Sequence, residues 1–219
     1  MKKNRIDWVA GGLAAGAAAY LLAVRPWHLR WGATKGEVTG PMIGDDVVRN
    51  PTFESTRAVT IEASPAEVWP WLVQMGYQRA GFYSYDWIDR ALGAVDRPSS
   101  EEILPEHQDL KVGDRIPIGR TAAFEVKVLE PERALLLVPE GNEGTNSWAM
   151  ALYQVDRGHT RLVTRFRSRV EKTPQALLAM LVLDPGVFLM TRKWLLGIKR
   201  RAEAAAGKRR IPFRLRSAS

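Results

Sequence analysis

Alternating hydrophobic and polar residues predict a run of β-strands through the middle of the chain. Apolar side chains recur at every second position in six segments, and this period places them on one face of a strand. The segments are 57–63, 115–118, 123–130, 134–139, 146–156 and 160–170. The turn Arg157-Gly158-His159 joins the last two segments and predicts a hairpin.

The last predicted strand has two different faces. One face carries Leu162, Thr164, Phe166 and Ser168, and the other carries Arg165, Arg167 and Arg169. Charged side chains are rarely buried unless they are paired, so we expect the arginine face to be in water.

Helical signals precede the central strands. Ser64 and Glu67 form a capping box, and Pro65 stands at the first helical position, so the sequence predicts a helix over 65–75 that bends at Pro70. Trp69, Leu72 and Val73 share one face of this helix and are expected in the core. A short helix is expected within 79–92, with Ser84 or Asp86 as its cap.

A long helix is predicted at the C-terminal end. Residues 174–206 have a helical pattern, with an expected interruption at Asp184-Pro185-Gly186. The order of elements is a strand, helices, a run of strands and a long helix. This order predicts an α+β fold in which the sheet packs against the long helix.

The N-terminal segment is apolar from Trp8 to Val24 and is flanked by basic residues. Residues 6–24 would measure about 28 Å as a helix, close to the thickness of a hydrocarbon core. We therefore predict a single-pass membrane anchor at the cell membrane. A cleaved signal peptide and a buried soluble helix are the alternatives, although small residues are poorly placed for cleavage.

Basic residues balance on the two flanks of this segment, so the side of the membrane that holds the soluble domain stays open. Gly12 and Gly16 have GxxxG spacing, but this spacing arises easily in a segment rich in Ala and Gly, so a lone helix is expected and a weak homodimer of spanning helices is the alternative. The predicted organisation is an anchor at 1–25, an extended connector at 26–55, the folded domain at 56–206 and a basic tail at 207–219.

The net charge of +8 is unevenly distributed along the chain. Residues 1–35 carry +5, residues 36–191 carry −6 and residues 192–219 carry +9. Because the folded middle is acidic and the positive charge lies at the ends, anionic lipid is a better partner than nucleic acid. The tail is most simply a solvated end, and a second membrane contact is the functional alternative.

Five segments of the domain carry a family resemblance: TRAVTIEASPAEVWPWLVQMG (56–76), GFYSYDW (81–87), ILPEHQDLKVGD (103–114), VLEPERAL (128–135) and MTRKWLLGIKRRAE (190–203). These segments resemble the SRPBCC superfamily, also called START-like or polyketide cyclase/dehydrase-like. This resemblance implies a helix-grip fold, in which a curved antiparallel sheet wraps around a long C-terminal helix. Two earlier segments, WGAT (31–34) and PMIGDD (41–46), also resemble the start of a membrane-anchored bacterial branch.

The sequence lacks the common signatures of covalent catalysis and cofactor binding. It has no cysteine, no G-x-S-x-G, no P-loop and no G-x-G-x-x-G. His28, His107 and His159 lie far apart along the chain, which predicts neither a metal site nor a cofactor.

An internal pocket is therefore the main candidate site. Its walls are expected to be apolar, and Tyr83, Tyr85 and Asp86 are the candidate acid–base or orienting groups. Glu125 and Arg165 are weaker polar candidates because their strand positions are expected to face solvent. The predicted wall residues are Phe82, Tyr83, Phe124, Val126, Trp148, Met150, Leu152, Phe166, Phe188, Met190 and Trp194.

Three functions fit this sequence. The first is membrane-tethered binding or transfer of a lipid or another apolar small molecule. The second is an enzyme of the cyclase or dehydratase type, a chemistry that the resemblance implies for some relatives. The third is a protein-interaction module whose core is completely filled.

Overall fold

The computed structural model describes residues 12, 15, 16, 18–141, 144–170 and 173–210. A π-helical segment, Tyr20–Val24, leads into the first α-helix, and a short 3-10 turn spans Pro105–His107. The other elements are α1 (Arg25–Leu29), α2 (Lys35–Thr39), β1 (Phe53–Ile61), α3 (Pro65–Val73), α4 (Asp86–Ala91), β2 (Arg115–Pro117), β3 (Ala123–Glu130), β4 (Ala134–Pro139), β5 (Asn146–Asp156), β6 (His159–Ser168) and α5 (Pro174–Arg210).

The six strands form one sheet in the order β1-β6-β5-β4-β3-β2, and every neighbouring pair is antiparallel. All six predicted strands are present, although β1 begins at Phe53, four residues before the predicted start. The sheet curves around α5, so the predicted α+β helix-grip architecture is confirmed.

The capping box before α3 is also confirmed. The backbone N–H and the hydroxyl of Ser64 both donate to Glu67 Oε2, at 2.8 and 2.9 Å. Pro70 lies inside the helix, which ends at Val73. Leu72 and Val73 are buried as predicted, but Trp69 is only half-buried.

The main core lies between the concave face of the sheet and the C-terminal half of α5. Trp194, Leu195 and Ile198 of the helix are buried against sheet residues such as Leu137 and Met150. Successive turns of α5 supply these helix positions, so one face of the helix is covered by the sheet.

The arginine face of the sheet is only partly in water: Arg169 is exposed as predicted and Arg167 is half-buried, but the prediction was wrong for Arg165. Arg165 is only 3% exposed, its Nη1 lies 2.7 Å from Asp45 Oδ2, and it donates to the backbone oxygens of Glu37 and Gly40. Residues from 33 to 47 cover this face and complete a second apolar cluster around Met42. Burial is possible because the guanidinium groups are paired.

Two helical predictions also differ from the structure. The connector at 26–55 was expected to be extended, yet it contains α1 and α2, and Thr34 and Glu37 form a capping box at the start of α2. Helix α5 continues without a break from Pro174 to Arg210, with Pro185 inside it. The short helix α4 begins at Asp86, and Tyr85 occupies its N-cap position without a capping side-chain bond.

Residues 6–11, 13, 14 and 17 of the predicted anchor lie outside the described residues, and the described ones, 12, 15, 16 and 18–24, are helical. Among the residues that are described, the helix long and apolar enough to cross a membrane is Pro174–Lys208, near the opposite end of the chain. The second half of this helix packs in the core, so the exposed apolar stretch is its first half, where Leu178, Val182 and Leu183 are exposed.

Candidate ligand-binding cavity

A cavity of about 600 Å³ lies between the first half of α5 and strands β1, β6 and β5. This size is typical of small-molecule sites, which measure roughly 300–1,000 Å³. Its lining is mostly apolar. The lining residues are Phe53, Ser55, Arg57, Trp148, Thr164, Phe166, Ser168, Val170, Ala176, Ala179, Leu183, Asp184, Val187 and Thr191.

Strand geometry explains the sheet side of this cavity. Residues at every second position share a face, so Phe53, Ser55 and Arg57 point the same way from β1. Their antiparallel partners on β6 are Ser168, Phe166 and Thr164, which also line the cavity. The aromatic side chains therefore alternate with small polar ones across two strands.

The helix side contributes small and exposed side chains. Ala176 and Ala179 leave space that larger residues would occupy, whereas Leu183 and Val187 line the cavity and remain exposed. The cavity therefore opens toward solvent beside the exposed first half of α5. Farther along the helix, the same groove is closed by Trp194, which packs on Trp148 with ring centroids 5.2 Å apart.

Buried charged groups form one end of the cavity. Arg57 and Asp184 are each only 2% exposed. The Arg57 Nε donates to the His28 carbonyl at 2.9 Å, and the Arg25 Nε donates to Asp184 Oδ2 at 2.9 Å. Arg57 Nη2 and Asp184 Oδ1 have no hydrogen-bond partner among the described residues.

Desolvation dominates the electrostatics of this end. Burial lowers the pKa of Arg57 to about 10, and the nearby Asp184 carboxylate opposes the shift. Burial also lowers the pKa of His28, because the charged imidazolium loses hydration. His28 is therefore neutral near pH 7, and the group formed by Arg25, Arg57 and Asp184 carries one net positive charge.

The predicted wall residues are divided among four environments. Trp148 and Phe166 line the cavity. Phe82, Trp148, Met190 and Trp194 line a smaller neighbouring cavity of about 160 Å³, together with Ser84 and Asp89. Phe188 packs between Trp27 and His28. The others, Tyr83, Phe124, Val126, Met150 and Leu152, belong to the filled core.

The candidate acid–base groups lie outside the described linings of both cavities. The Tyr83 hydroxyl accepts a hydrogen bond from Gln74 Nε2 at 2.9 Å, and burial raises the pKa of this phenol. Asp86 accepts a 2.6 Å hydrogen bond from the Ser99 hydroxyl, and the Tyr85 ring lies under the Lys193 ammonium. Glu125 pairs with Lys127.

Arg57, Asp184 and Ser55 are cavity residues that were not predicted. Arg57 shares the strand parity of Val59 and Ile61, so the alternation already contained a signal for an inward arginine. Asp184 was interpreted as part of a helix break. Among the described residues, no group of three His, Cys, Asp or Glu side chains is placed to hold a metal ion.

Comparisons with solved structures return proteins with a related arrangement of elements. An Aha1 dimer from Colwellia psychrerythraea is 19% identical, with 68% of this chain and 99% of that chain covered and a TM-score of 0.40. A polyketide cyclase-like protein from Corynebacterium glutamicum is 14% identical, covers 73% and 96% of the two chains, and has a TM-score of 0.42. A protein from Thermobifida fusca is 10% identical, covers 69% and 93%, and has a TM-score of 0.44.

No protein-family model and no curated protein matches the sequence. Function does not follow from likenesses as distant as those to the solved structures. The six-stranded antiparallel sheet around α5 is nevertheless the helix-grip fold that the resemblance to the SRPBCC superfamily predicts.

Proposed function

We propose that the protein binds an apolar small molecule of the lipid class in the cavity between α5 and strands β1, β6 and β5. The observation that carries this proposal is an apolar space of about 600 Å³ beside the core. Water in such a space finds few hydrogen-bond partners, so an apolar ligand displaces it favourably. Each 100 Å² of apolar ligand surface buried there contributes roughly 2.5 kcal/mol before the costs of association.

The proposal includes attachment to a membrane at the open end of the cavity. Leu22 and Trp27 are exposed beside α1, and Leu183 and Val187 are exposed on α5. The Arg25–Asp184 ion pair holds these two regions together. An apolar anchor at 6–24, continuous with this surface, would keep the cavity opening beside the phase in which apolar ligands dissolve.

The other two functions have less support. A cyclase or dehydratase would need acid–base groups at its ligand, and Tyr83, Tyr85 and Asp86 are turned toward protein partners. An interaction module was expected to have a completely filled core, which the cavity argues against. Transfer of ligand between membranes stays part of the proposal.

The test fills the cavity from β1. Ser55→Phe places a ring in the cavity, whereas Thr60→Phe places the same ring on the exposed opposite face of the same strand. The ligand probe is methyl 9,10-dibromostearate, a neutral lipid whose bromines quench nearby indoles. Its binding is measured by fluorescence quenching of the full chain in detergent micelles, and Trp148→Phe identifies the signal from the cavity.

We expect saturable quenching in the wild type and in Thr60→Phe, and at least a tenfold weaker affinity in Ser55→Phe. Circular dichroism melts establish that each variant is folded. Quenching that is equal in Ser55→Phe and in the wild type, or that does not saturate in the wild type, would refute the proposal.

A further inference from the structure

We infer that the buried end of the cavity recognises a singly charged oxyanion on the ligand, with Arg57 as its hydrogen-bond donor. This inference rests on the proposed function and specifies the class of ligand. The ligand would be an amphiphile whose chain lies among the apolar lining residues and whose anionic head lies against Arg57.

Arg57 has unused hydrogen-bonding capacity. Its Nε is occupied by the His28 carbonyl, and its guanidinium lies 5.5 Å from the centre of the Phe188 ring. Its Nη2 is buried and has no partner among the described residues. Buried donors are normally satisfied, so an unsatisfied donor on a residue that lines an apolar cavity indicates a missing partner.

The positive charge of Arg57 also lacks a carboxylate in direct contact. Asp184 is the nearby carboxylate, but its Oδ2 is engaged by Arg25 at 2.9 Å. Among the described residues, no carboxylate lies within 4.0 Å of the Arg57 guanidinium, whereas Arg165 on the other face of the sheet is paired with Asp45. Buried charges are normally paired, and an anionic ligand would complete the pair.

Asp184 limits the negative charge that the ligand can carry. Asp184 lines the same cavity, and its Oδ1 is buried and lacks a donor among the described residues. A second negative charge on the ligand would be repelled by this carboxylate, while a hydroxyl on the head group would satisfy it. The combination favours a monoanion such as a carboxylate, and a lipid phosphate presents the same oxyanion chemistry.

The experiment compares ligands that differ only in the charge of the head group. The full chain in micelles is titrated at about pH 8, where a carboxylic acid in water is ionised, with 9,10-dibromostearic acid and with its methyl ester. Hydrogen bonds to charged groups contribute about 1.5–3 kcal/mol, so the acid should bind at least roughly tenfold more tightly. A second comparison uses hexadecyl methyl phosphate, a phosphodiester that carries one negative charge, and hexadecanol as competitors of the ester, which separates a phosphate source from a carboxylate source.

Arg57→Met should remove this preference, so that the acid and the ester bind to the variant with similar affinities. The matched control is Arg192→Met, which removes an exposed guanidinium from α5 that stacks on Trp31 outside the cavity lining. This control should keep the preference for the anion. If Arg57→Met does not fold, two measurements still test the inference. They are the affinities of the acid and the ester for Arg57→Lys and the same pair of affinities for the wild type.

The outcomes separate the inference from the proposed function. If the ester binds and neither anion binds more tightly, the inference is overturned while the proposed function stands. A preference that persists in Arg57→Met, or that disappears in Arg192→Met, also overturns the inference because surface charge would then explain it. If no probe binds at all, the proposed function fails.

Discussion

Replacing Gly197 with alanine tests how closely α5 packs on the segment before α4. A Cβ at this position would lie 2.2 Å from the carbonyl oxygen of Tyr83 and 2.9 Å from its Cβ. Neither atom can move freely, because Tyr83 is buried and its backbone has a φ of 55°. The helix or the segment would have to shift by about 1 Å.

Two effects of opposite sign determine the magnitude. Alanine is favoured over glycine inside a helix by about 1 kcal/mol. Overpacking of a well-packed site costs roughly 1–3 kcal/mol, and contact with a backbone atom places this site at the upper end. We therefore expect Gly197→Ala to lower the free energy of unfolding by about 2 kcal/mol, which corresponds to a decrease in Tm of roughly 4–8 °C.

Gly207→Ala is the matched control in the same helix. A Cβ at Gly207 meets nothing within 4 Å, so this change should raise stability by up to about 1 kcal/mol. Both variants are measured by circular dichroism during thermal and denaturant unfolding. Equal effects of the two substitutions would refute the close packing of α5 on Tyr83.

Three further predictions follow from the buried charges and the apolar end. His28 has a lowered pKa in the folded state, so its contribution is complete above about pH 6.5 and is lost as the pH falls below that value, by at most about 1.4 kcal/mol per unit. Melts from pH 7.5 to 5 should show a smaller loss in His28→Gln than in the wild type, and an equal loss in the two proteins would contradict this assignment. Arg165→Met should destabilise the fold by about 2 kcal/mol in urea unfolding, since the Glu37 and Gly40 oxygens lose a donor and Asp45 keeps Arg167, at 3.2 Å, but loses its 2.7 Å partner. A change below about 0.5 kcal/mol would contradict the pairing. The full chain should stay in the membrane fraction after carbonate extraction, and release into the soluble fraction would contradict the anchor at 6–24.

Local patterns predicted most of the elements. The Ser64–Glu67 capping box and the turn before His159 depend on residues that are close in sequence, and their chemistry was sufficient to identify them. The strand alternation was equally informative because its period does not depend on distant partners.

Local patterns did not predict that the connector packs on the face of the sheet that carries Arg165. Alternation separates two faces of β6, but it does not show which is covered. The partners of Arg165 lie 120 or more residues earlier, in a connector whose composition indicated an extended chain. Pairing with Asp45 and backbone oxygens reverses the usual preference of arginine for water.

The lining of the cavity was also only partly predictable from the sequence. The predicted aromatic walls included Trp148 and Phe166, but inward-facing positions such as Met150 and Leu152 turned out to be filled core. Whether an inward position meets a neighbour or a void depends on the path of α5. The continuity of that helix through Pro185 opposed the local rule that proline ends helices.

Native mass spectrometry can show whether the cavity between α5 and strands β1, β6 and β5 holds a lipid. The full chain is exposed to a total lipid extract and then released from detergent micelles. We expect one small amphiphile per chain in the wild type and in Thr60→Phe, and none in Ser55→Phe. Wild-type protein that carries no ligand, or the same ligand retained when the cavity is filled, would contradict this expectation.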